Sequence, residues 1–221
     1  MIGLYIGLGN PHRATLEQRR RLLRDEIAAI VGGVGNIVTM MFGDDAVVTS
    51  GSSIDSFTPL IGASITPYTG GTKAVRSVVN NRTAAVFTPG AIGSYISDGT
   101  ACKSVITVAQ WLGAIPFNRD CYLTYLGSYN QTLLPSGASA FTSLGAKYVD
   151  GAAGATVTGN PRCYAAAGAT AGSNSYLGGD IHATYTFDGP VWCWIRVSVE
   201  LDATQMASVY AALKKYFTFL P

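Results

Sequence analysis

Charge is scarce in this 221-residue sequence. Only 13% of the residues are Asp, Glu, Lys or Arg, and the formal net charge is +2. A surface with so few charges favours association over dispersal, so we expect neighbouring molecules to cover some of its faces. The small net charge gives no argument for nucleic acid, which we expect to be an unlikely partner.

Residues that usually carry catalysis are also few. His12 and His182 are the only histidines, and neither has metal-ligand spacing with the other or with a cysteine. The chain has three glutamates, whereas a jelly-roll glycosidase would place two or three carboxylates on one strand face. We find no serine nucleophile elbow, phosphate loop or Cys-His pair. These absences predict a protein that is not an enzyme.

The four cysteines lie far apart and form no C-x-x-C pair, so they do not indicate a zinc site. The first nine residues lack the basic region of a signal peptide, and no apolar run approaches the roughly 20 residues that cross a bilayer. We therefore expect buried, reduced thiols, synthesis in a cytoplasm and no membrane partner. The cysteines are Cys102, Cys121, Cys163 and Cys193.

Acidic turn residues are the remaining candidates for a cofactor site. Asp44, Asp45 and Asp98 could supply oxygen ligands for calcium, which needs six to eight of them. The same residues are common turn formers. We expect no cofactor, and calcium stays open as the alternative.

Residues 6–11, IGLGNP, resemble the opening strand and turn of peptidyl-tRNA hydrolases and the loops of dinucleotide-binding proteins. His12 stands where a dinucleotide loop needs its third glycine. The Arg-His-Asn triplet of the hydrolases does not follow, because Arg13 leads into Ala14 and Thr15. We interpret the stretch as a strand and a turn.

Residues 15–31 have the pattern of an amphipathic helix. Thr15 and Gln18 have capping-box spacing, and Gly32 and Gly33 end the segment. Apolar residues recur near one face, which predicts that this face is buried. They are Leu16, Leu23, Ile27 and Ile30.

Five of the ten arginines lie within twelve positions of this region. Three interpretations of these charges are open: a solvated helix face, a surface that docks on an acidic neighbour, and a nucleic-acid contact. We carry them forward as candidate contacts in an assembly. They are Arg13, Arg19, Arg20, Arg21 and Arg24.

Beyond Gly35 the sequence consists of short apolar runs separated by turn residues, which is typical of an antiparallel sandwich. The run 191–199 alternates, so we expect Trp192, Trp194 and Arg196 to share a face opposite the core face. Asp202 and Gln205 then have the spacing of a second helix cap. The candidate strands are 37–42, 46–49, 74–79, 84–88, 94–96, 104–112, 121–126, 146–149, 162–166, 180–187 and 191–199.

Three segments carry a family resemblance: SVVNNRTAAVFTPGAIGSYI at 77–96, SVITVAQWL at 104–112, and the closing strands with their helical tail at 178–217. They resemble the concanavalin A-like, laminin-G-type jelly-roll domains of bacteriophage virion proteins and bacterial surface proteins. The resemblance implies a mainly β protein, an antiparallel jelly-roll β-sandwich with an N-terminal helix and a short C-terminal helix. The chain departs from the family at His182, which follows Ile181 where the family has Ala-Glu, so the resemblance alone does not support a calcium or sugar site.

We divide the chain into an N-terminal arm with its arginine-rich helix, 1–36, and a sandwich with the C-terminal helix, 37–221. The resemblance implies a bacteriophage structural protein, a capsid decoration or tail component. We expect it to be made in the host cytoplasm and to join other virion proteins, in many copies of a symmetric assembly, through its N-terminal region.

The alternative is a lectin-like carbohydrate-binding module that attaches to a surface or receptor glycan. Flat aromatic rings stack on sugar rings, although aromatics are also common in cores and subunit interfaces. The candidate stacking residues are Trp192, Trp194, Tyr122 and Tyr125.

Overall fold

The computed structural model describes residues 15–67, 72–88, 94–97, 101–112, 124–126, 132–136, 140–142, 145–168, 174–178 and 187–221. The helices in this part are α1, Leu16–Ile30, and α2, Ala203–Tyr216. The strands are β1 Ile37–Phe42, β2 Ala46–Val47, β3 Ser56–Phe57, β4 Thr66–Pro67, β5 Val75–Val79, β6 Arg82–Phe87, β7 Ser94–Ser97, β8 Ser104–Ala109, β9 Thr124–Leu126, β10 Thr132–Ser136, β11 Ala140–Thr142, β12 Ala146–Val149, β13 Ala152–Ala153, β14 Arg162–Ala167, β15 Asn174–Leu177 and β16 Gly189–Val197.

The strands form two large antiparallel sheets. In the eight-stranded sheet the order is β13-β12-β14-β8-β16-β6-β5, and β1 pairs with β16 as well. The six-stranded sheet has the order β11-β10-β9-β15-β7-β4, and β2 pairs with β3 separately. This confirms the prediction of a mainly β, antiparallel sandwich with a helix near each end of the sequence.

Both faces of the eight-stranded sheet are covered. Every residue of β16 and of β8 is buried. On one face the helices contribute Leu23 and Leu213 to a hydrophobic cluster with Ile195 of β16. On the other face Trp194 belongs to a second cluster with Leu177, which comes from the six-stranded sheet. The molecule therefore has three layers, a helix pair, the large sheet and the second sheet.

The close approach of the two sheets requires a glycine beside β15. Gly178 has φ +77, and a Cβ there would lie 2.2 Å from the ring of Phe87, which is fully buried on β6. An L side chain is disfavoured at this φ and has no room. The packing of Phe87 from the opposite sheet thus requires glycine at the position that follows β15.

The face assignment predicted for 191–199 is wrong. The pairing of β16 with β8 is irregular between Val191 and Cys193, which is the register of a β-bulge. As a result Trp192 lies in the cluster under the helices, whereas Trp194 lies between the sheets. Arg196, expected on an outer face, is fully buried, and its Nη1 donates to Thr39 Oγ1 at 3.2 Å.

The two helix caps are confirmed. Thr15 with Gln18, and Asp202 with Gln205, each form a reciprocal capping box. Leu23 lies in the core, but Leu16, placed in the same apolar stripe, is 41% exposed. Within the described residues, neither helix has the length and apolar character needed to cross a membrane.

The first helix shares its core with the rest of the molecule. α1 packs against α2 and against the eight-stranded sheet. Leu23, Ile27 and Val31 are each at most 3% exposed within that cluster. A domain boundary at residue 36 would therefore cut through one hydrophobic core.

Candidate functional site

An open cleft lies between the two helices, on the side of the molecule away from the six-stranded sheet. Its volume is about 260 Å³. The floor and walls are formed by residues of α1, of α2 and of the start of β6. They are Arg19, Leu22, Leu23, Glu26, Arg82, Ala212, Lys215 and Tyr216.

Local sequence rules place these side chains together. The four residues from α1 follow the spacing i, i+3, i+4, i+7, and the three from α2 follow i, i+3, i+4, so each set lies on one helix face. Arg82 follows a two-residue turn in which Asn80 and Asn81 have φ of 54 and 57. Asparagine tolerates these angles, and such turns give tight hairpins. The hairpin therefore holds Arg82 at the first position of β6, facing the helices.

The cleft carries a positive charge. Arg19, Arg82 and Lys215 face one carboxylate, Glu26, to which the Lys215 Nζ donates a hydrogen bond. This ion pair is exposed, since the side chains of Lys215 and Glu26 keep 69% and 40% of their accessible surface. Within the described part of the chain, Arg19 forms no ion pair. Two positive charges thus remain uncompensated.

Tyr216 joins the cationic groups to the core. Arg82 Nη2 donates to the Tyr216 carbonyl at 2.8 Å, and its Cζ lies 4.8 Å from the centre of the Tyr216 ring. The ring also contacts Phe42, with 5.5 Å between the centroids. These contacts fix both the aromatic ring and the guanidinium at the edge of the cleft.

The hydroxyl group of Tyr216 is unusual. The residue is 7% exposed, and its Oη is buried without a hydrogen-bond partner among the described residues. Burial raises the pKa of this hydroxyl, so it keeps its proton at neutral pH. A buried hydroxyl that makes no hydrogen bond is costly. Tyr216 therefore lines the basic cleft, and its hydroxyl group is buried without a hydrogen bond to the described residues.

The arginine candidates have different surroundings. Arg20, predicted as an assembly contact, is instead 9% exposed and donates through Nη2 to Asp45. Its Cζ lies 4.7 Å from the ring centre of Phe42. Since it already has a buried partner in its own chain, Arg20 is unavailable to an acidic neighbour.

The other arginines of this region remain at the surface or outside the described residues. Arg21 is 62% exposed and pairs with Glu17 at 3.0 Å. Arg24 pairs with Asp25 at 2.7 Å. Arg19 lines the cleft, and Arg13 lies outside the described residues. Of the four candidates that the structure describes, Arg19 alone contributes to the cleft.

The candidate stacking residues do not form a platform in the described structure. Trp192 and Trp194 are fully buried and lie on opposite faces of β16, so neither ring offers a surface to a glycan. Tyr125 is in β9, but its side chain is not described, and Tyr122 lies outside the described residues. The stacking prediction is contradicted for both tryptophans by the bulge and by the cover on both sheet faces.

Among the acidic turn residues proposed as calcium ligands, Asp45 forms hydrogen bonds within its own chain. Asp45 Oδ1 accepts from Arg20, and Oδ2 accepts from the Phe42 amide at 2.7 Å. Burial raises the pKa of Asp45, while the Phe42 amide and the Arg20 guanidinium favour its charged form. Both oxygens are thus engaged with donors rather than turned toward a cation. Asp98 lies outside the described residues, and no cluster of three or more His, Cys, Asp or Glu is found among those described.

Sequence reasoning missed most of the cleft. The sequence patterns single out neither Lys215 nor Tyr216, and they include Arg82 only within the motif at 77–96. The available signal was the Asn80-Asn81 turn, which predicts a tight hairpin with Arg82 at its start. Sequence patterns could not predict that Arg19, Arg82 and Lys215 line one cleft, because these residues are far apart along the chain.

No family model matches the sequence, and no curated protein matches it either. The fold is similar to part of a Trypanosoma rangeli sialidase solved in complex with 2,3-difluorosialic acid, at 10% sequence identity and a TM-score of 0.50. The alignment covers 89% of this chain and 38% of that chain. The chain therefore spans well under half of the sialidase, and the likeness shows a shared fold alone.

Two further structures score lower and carry no argument. The same sialidase in complex with sialic acid has a TM-score of 0.49 at 10% identity, over 90% of this chain and 38% of that chain. Domain 4 of AbnA, a GH43 extracellular arabinanase from Geobacillus stearothermophilus solved with arabinotriose, has a TM-score of 0.47 at 14% identity. Its alignment covers 79% of this chain and 98% of that chain.

These findings correct one prediction and leave two without support. The sequence predicted a protein that is not an enzyme, and the similarity to a sialidase contradicts that exclusion, because this fold occurs within a glycosidase. The few carboxylates of the sequence were therefore an insufficient basis for it. The link to bacteriophages and the concanavalin A-like family assignment gain nothing from these structures.

Proposed function

We propose that this chain is a lectin-like carbohydrate-binding module and that the cleft between α1 and α2 is its binding site. The observation that carries the proposal is the cleft itself, with cationic donors beside the aromatic residue Tyr216. The fold supports the same class of ligand, since it is shared with part of a sialidase solved with a sialic acid derivative.

The cleft offers both kinds of contact that a sugar needs. Arg82 and Lys215 supply N–H donors, and a guanidinium can donate two parallel hydrogen bonds to neighbouring oxygens. Leu22, which is 64% exposed, adds apolar surface for the C–H groups of a sugar ring. These groups line one continuous depression, so a single ring can contact them together.

The size of the cleft limits the ligand. Small-molecule pockets usually measure about 300–1,000 Å³, and this one measures about 260 Å³. It is suited to one sugar residue rather than to a long saccharide. Binding at one such site is expected to be weak, and several linked copies would gain avidity without new contacts.

A role on a virion stays a prediction from the sequence. A glycan-binding module is compatible with such a role, because attachment to a receptor glycan is one use of a surface protein. The assembly contact would then need surfaces other than Arg20, whose guanidinium is engaged with Asp45. Electron microscopy of the full chain mixed with candidate particles would test that role separately.

The proposal is tested by exposing the full-length chain to an array of immobilised saccharides, both neutral and acidic. Hits are then measured in solution by ligand-observed NMR. We expect Arg82→Gln to lower the affinity for a hit about tenfold or more, since hydrogen bonds from charged groups are among the strong ones. Arg76→Gln is the matched control, because Arg76 is an exposed arginine of the neighbouring strand β5 and lies outside the cleft.

Retention of no saccharide above a blank surface would refute the proposed function. Equal binding by Arg82→Gln and the unmodified chain would place the site elsewhere on the protein. Thermal unfolding of both variants shows whether a loss of binding reflects a loss of fold.

A further inference from the structure

The charge of the cleft narrows the class of sugar. A neutral saccharide needs donors and acceptors in similar numbers, because its hydroxyl groups are both. The described cleft is dominated by donors, with Arg19, Arg82 and Lys215 against the single carboxylate of Glu26. Such a set is matched by a ligand that carries anionic oxygens.

The ion pair inside the cleft provides a way to admit that anion. Lys215 donates to Glu26 in a pair whose side chains are largely exposed. Exposed pairs are weak, so the Lys215 ammonium can exchange Glu26 for a ligand carboxylate at small cost. Glu26 then acts as an internal competitor for the same cation.

The geometry of the donors favours an oxyanion. A guanidinium presents its N–H groups as a flat fork that matches two oxygens of a carboxylate or of a tetrahedral oxyanion such as sulfate. Arg82 is held in a fixed orientation by the Tyr216 carbonyl and ring. The cleft is therefore suited to an acidic sugar.

From these features we propose that the cleft recognises a terminal acidic sugar, whose carboxylate or sulfate group is bound by Arg82 and Lys215. This inference rests on the proposed function and adds the class of sugar. Glu26 limits the affinity, because it must release Lys215 before the anionic group of the ligand binds.

The test uses three probes with the full-length chain: 3′-sialyllactose, 3′-sulfolactose and lactose, measured by ligand-observed NMR and titration calorimetry. We expect binding of 3′-sialyllactose and of 3′-sulfolactose, and none of lactose. Because the contacts are exposed to solvent, raising the salt concentration from about 50 mM to about 500 mM should weaken the first of these.

Opposite responses of two variants distinguish the mechanism from a general loss of structure. Glu26→Gln should bind 3′-sialyllactose more tightly, by up to about fivefold, because Lys215 is released from its internal partner. Lys215→Gln should bind it about three- to tenfold more weakly. Lys214→Gln is the control, because Lys214 is an exposed neighbour on α2 that does not line the cleft.

The outcomes separate this inference from the proposal beneath it. Equal binding of lactose and 3′-sialyllactose, or weaker binding by Glu26→Gln, would overturn the acidic-sugar inference and leave a carbohydrate-binding module. Binding of 3′-sulfolactose no tighter than that of lactose would overturn it as well, because the cleft would then not select an anionic group. Binding of none of these, together with an empty saccharide array, would overturn both.

Discussion

Arg20 of α1 donates a hydrogen bond to Asp45, 25 residues further along the chain, and both side chains are buried. Asp45 lies in a short 3-10 helix, Gly43–Asp45, that follows β1. Its second oxygen accepts from the Phe42 amide at 2.7 Å. One carboxylate thus links the helix layer to the end of a strand in the eight-stranded sheet.

This link predicts a large effect of removing the arginine. Arg20→Met keeps most of the side-chain volume but leaves the Asp45 carboxylate buried without its cation. We expect the free energy of unfolding, measured by urea denaturation, to fall by about 3 kcal/mol or more.

Arg21→Met is the matched control for Arg20→Met. Arg21 is 62% exposed and pairs with Glu17 one helical turn away, which is an interaction of about 0.5 kcal/mol at most. A cost for Arg20→Met no greater than that for Arg21→Met would show that the buried pair contributes little. Adding Asp45→Asn to Arg20→Met should recover part of the loss, because the amide oxygen still accepts from Phe42.

The parts of the fold that sequence predicted are those set by neighbouring residues. Thr15 with Gln18 and Asp202 with Gln205 encode their helix starts within four positions, so the caps could be read directly. The apolar run of β1 predicted the strand 37–42 with the bounds that the structure has. In each case the physical cause lies inside the segment.

The parts that sequence did not predict depend on distant residues. The bulge that separates Trp192 from Trp194 is a feature of the pairing with β8, and periodicity within one strand contains no sign of it. Arg20 was read as a surface charge because it lies among other arginines, and its partner comes from another element. The cleft unites Arg19, Arg82 and Lys215, which no local pattern connects.

The shared core predicts that the helix α1 is needed for stability. Leu23 is 3% exposed in the cluster formed by both helices and the sheet. Leu23→Ala should lower the free energy of unfolding by about 2–5 kcal/mol, through lost burial and the cavity that remains. Urea denaturation followed by circular dichroism measures this change.

Leu16→Ala serves as the comparison, because Leu16 is 41% exposed on the same helix and should cost far less. Equal effects of the two changes would mean that α1 does not pack as described. Deletion of residues 1–31 should also destabilise the chain, since it removes Leu23, Ile27 and Val31 from the core.

The buried hydroxyl of Tyr216 predicts the behaviour of the protein in alkali. Burial raises the pKa of Tyr216 above the ordinary value of about 10. Below about pH 10 the folded and unfolded chains both keep this proton, so its contribution to stability is complete. Between that pH and the folded-state pKa, only the unfolded chain releases the proton, so the free energy of unfolding falls as pH rises.

Tyr216→Phe isolates this contribution. The variant keeps the ring that contacts Phe42 and removes a hydroxyl that has no partner among the described residues, so at neutral pH it should be at least as stable as the unmodified chain. Above about pH 10 its stability should fall less steeply, by about 1.4 kcal/mol per pH unit, because one titrating group is gone. Urea denaturation at a series of pH values gives both slopes, and tyrosinate absorbance reports the ionisation.

Buried Cys163, Cys193 and Tyr164 titrate in alkali too, so both curves descend, and the difference between them is the quantity that tests Tyr216. Parallel curves, or a variant less stable at neutral pH, would show that the hydroxyl has a hydrogen-bond partner in the protein.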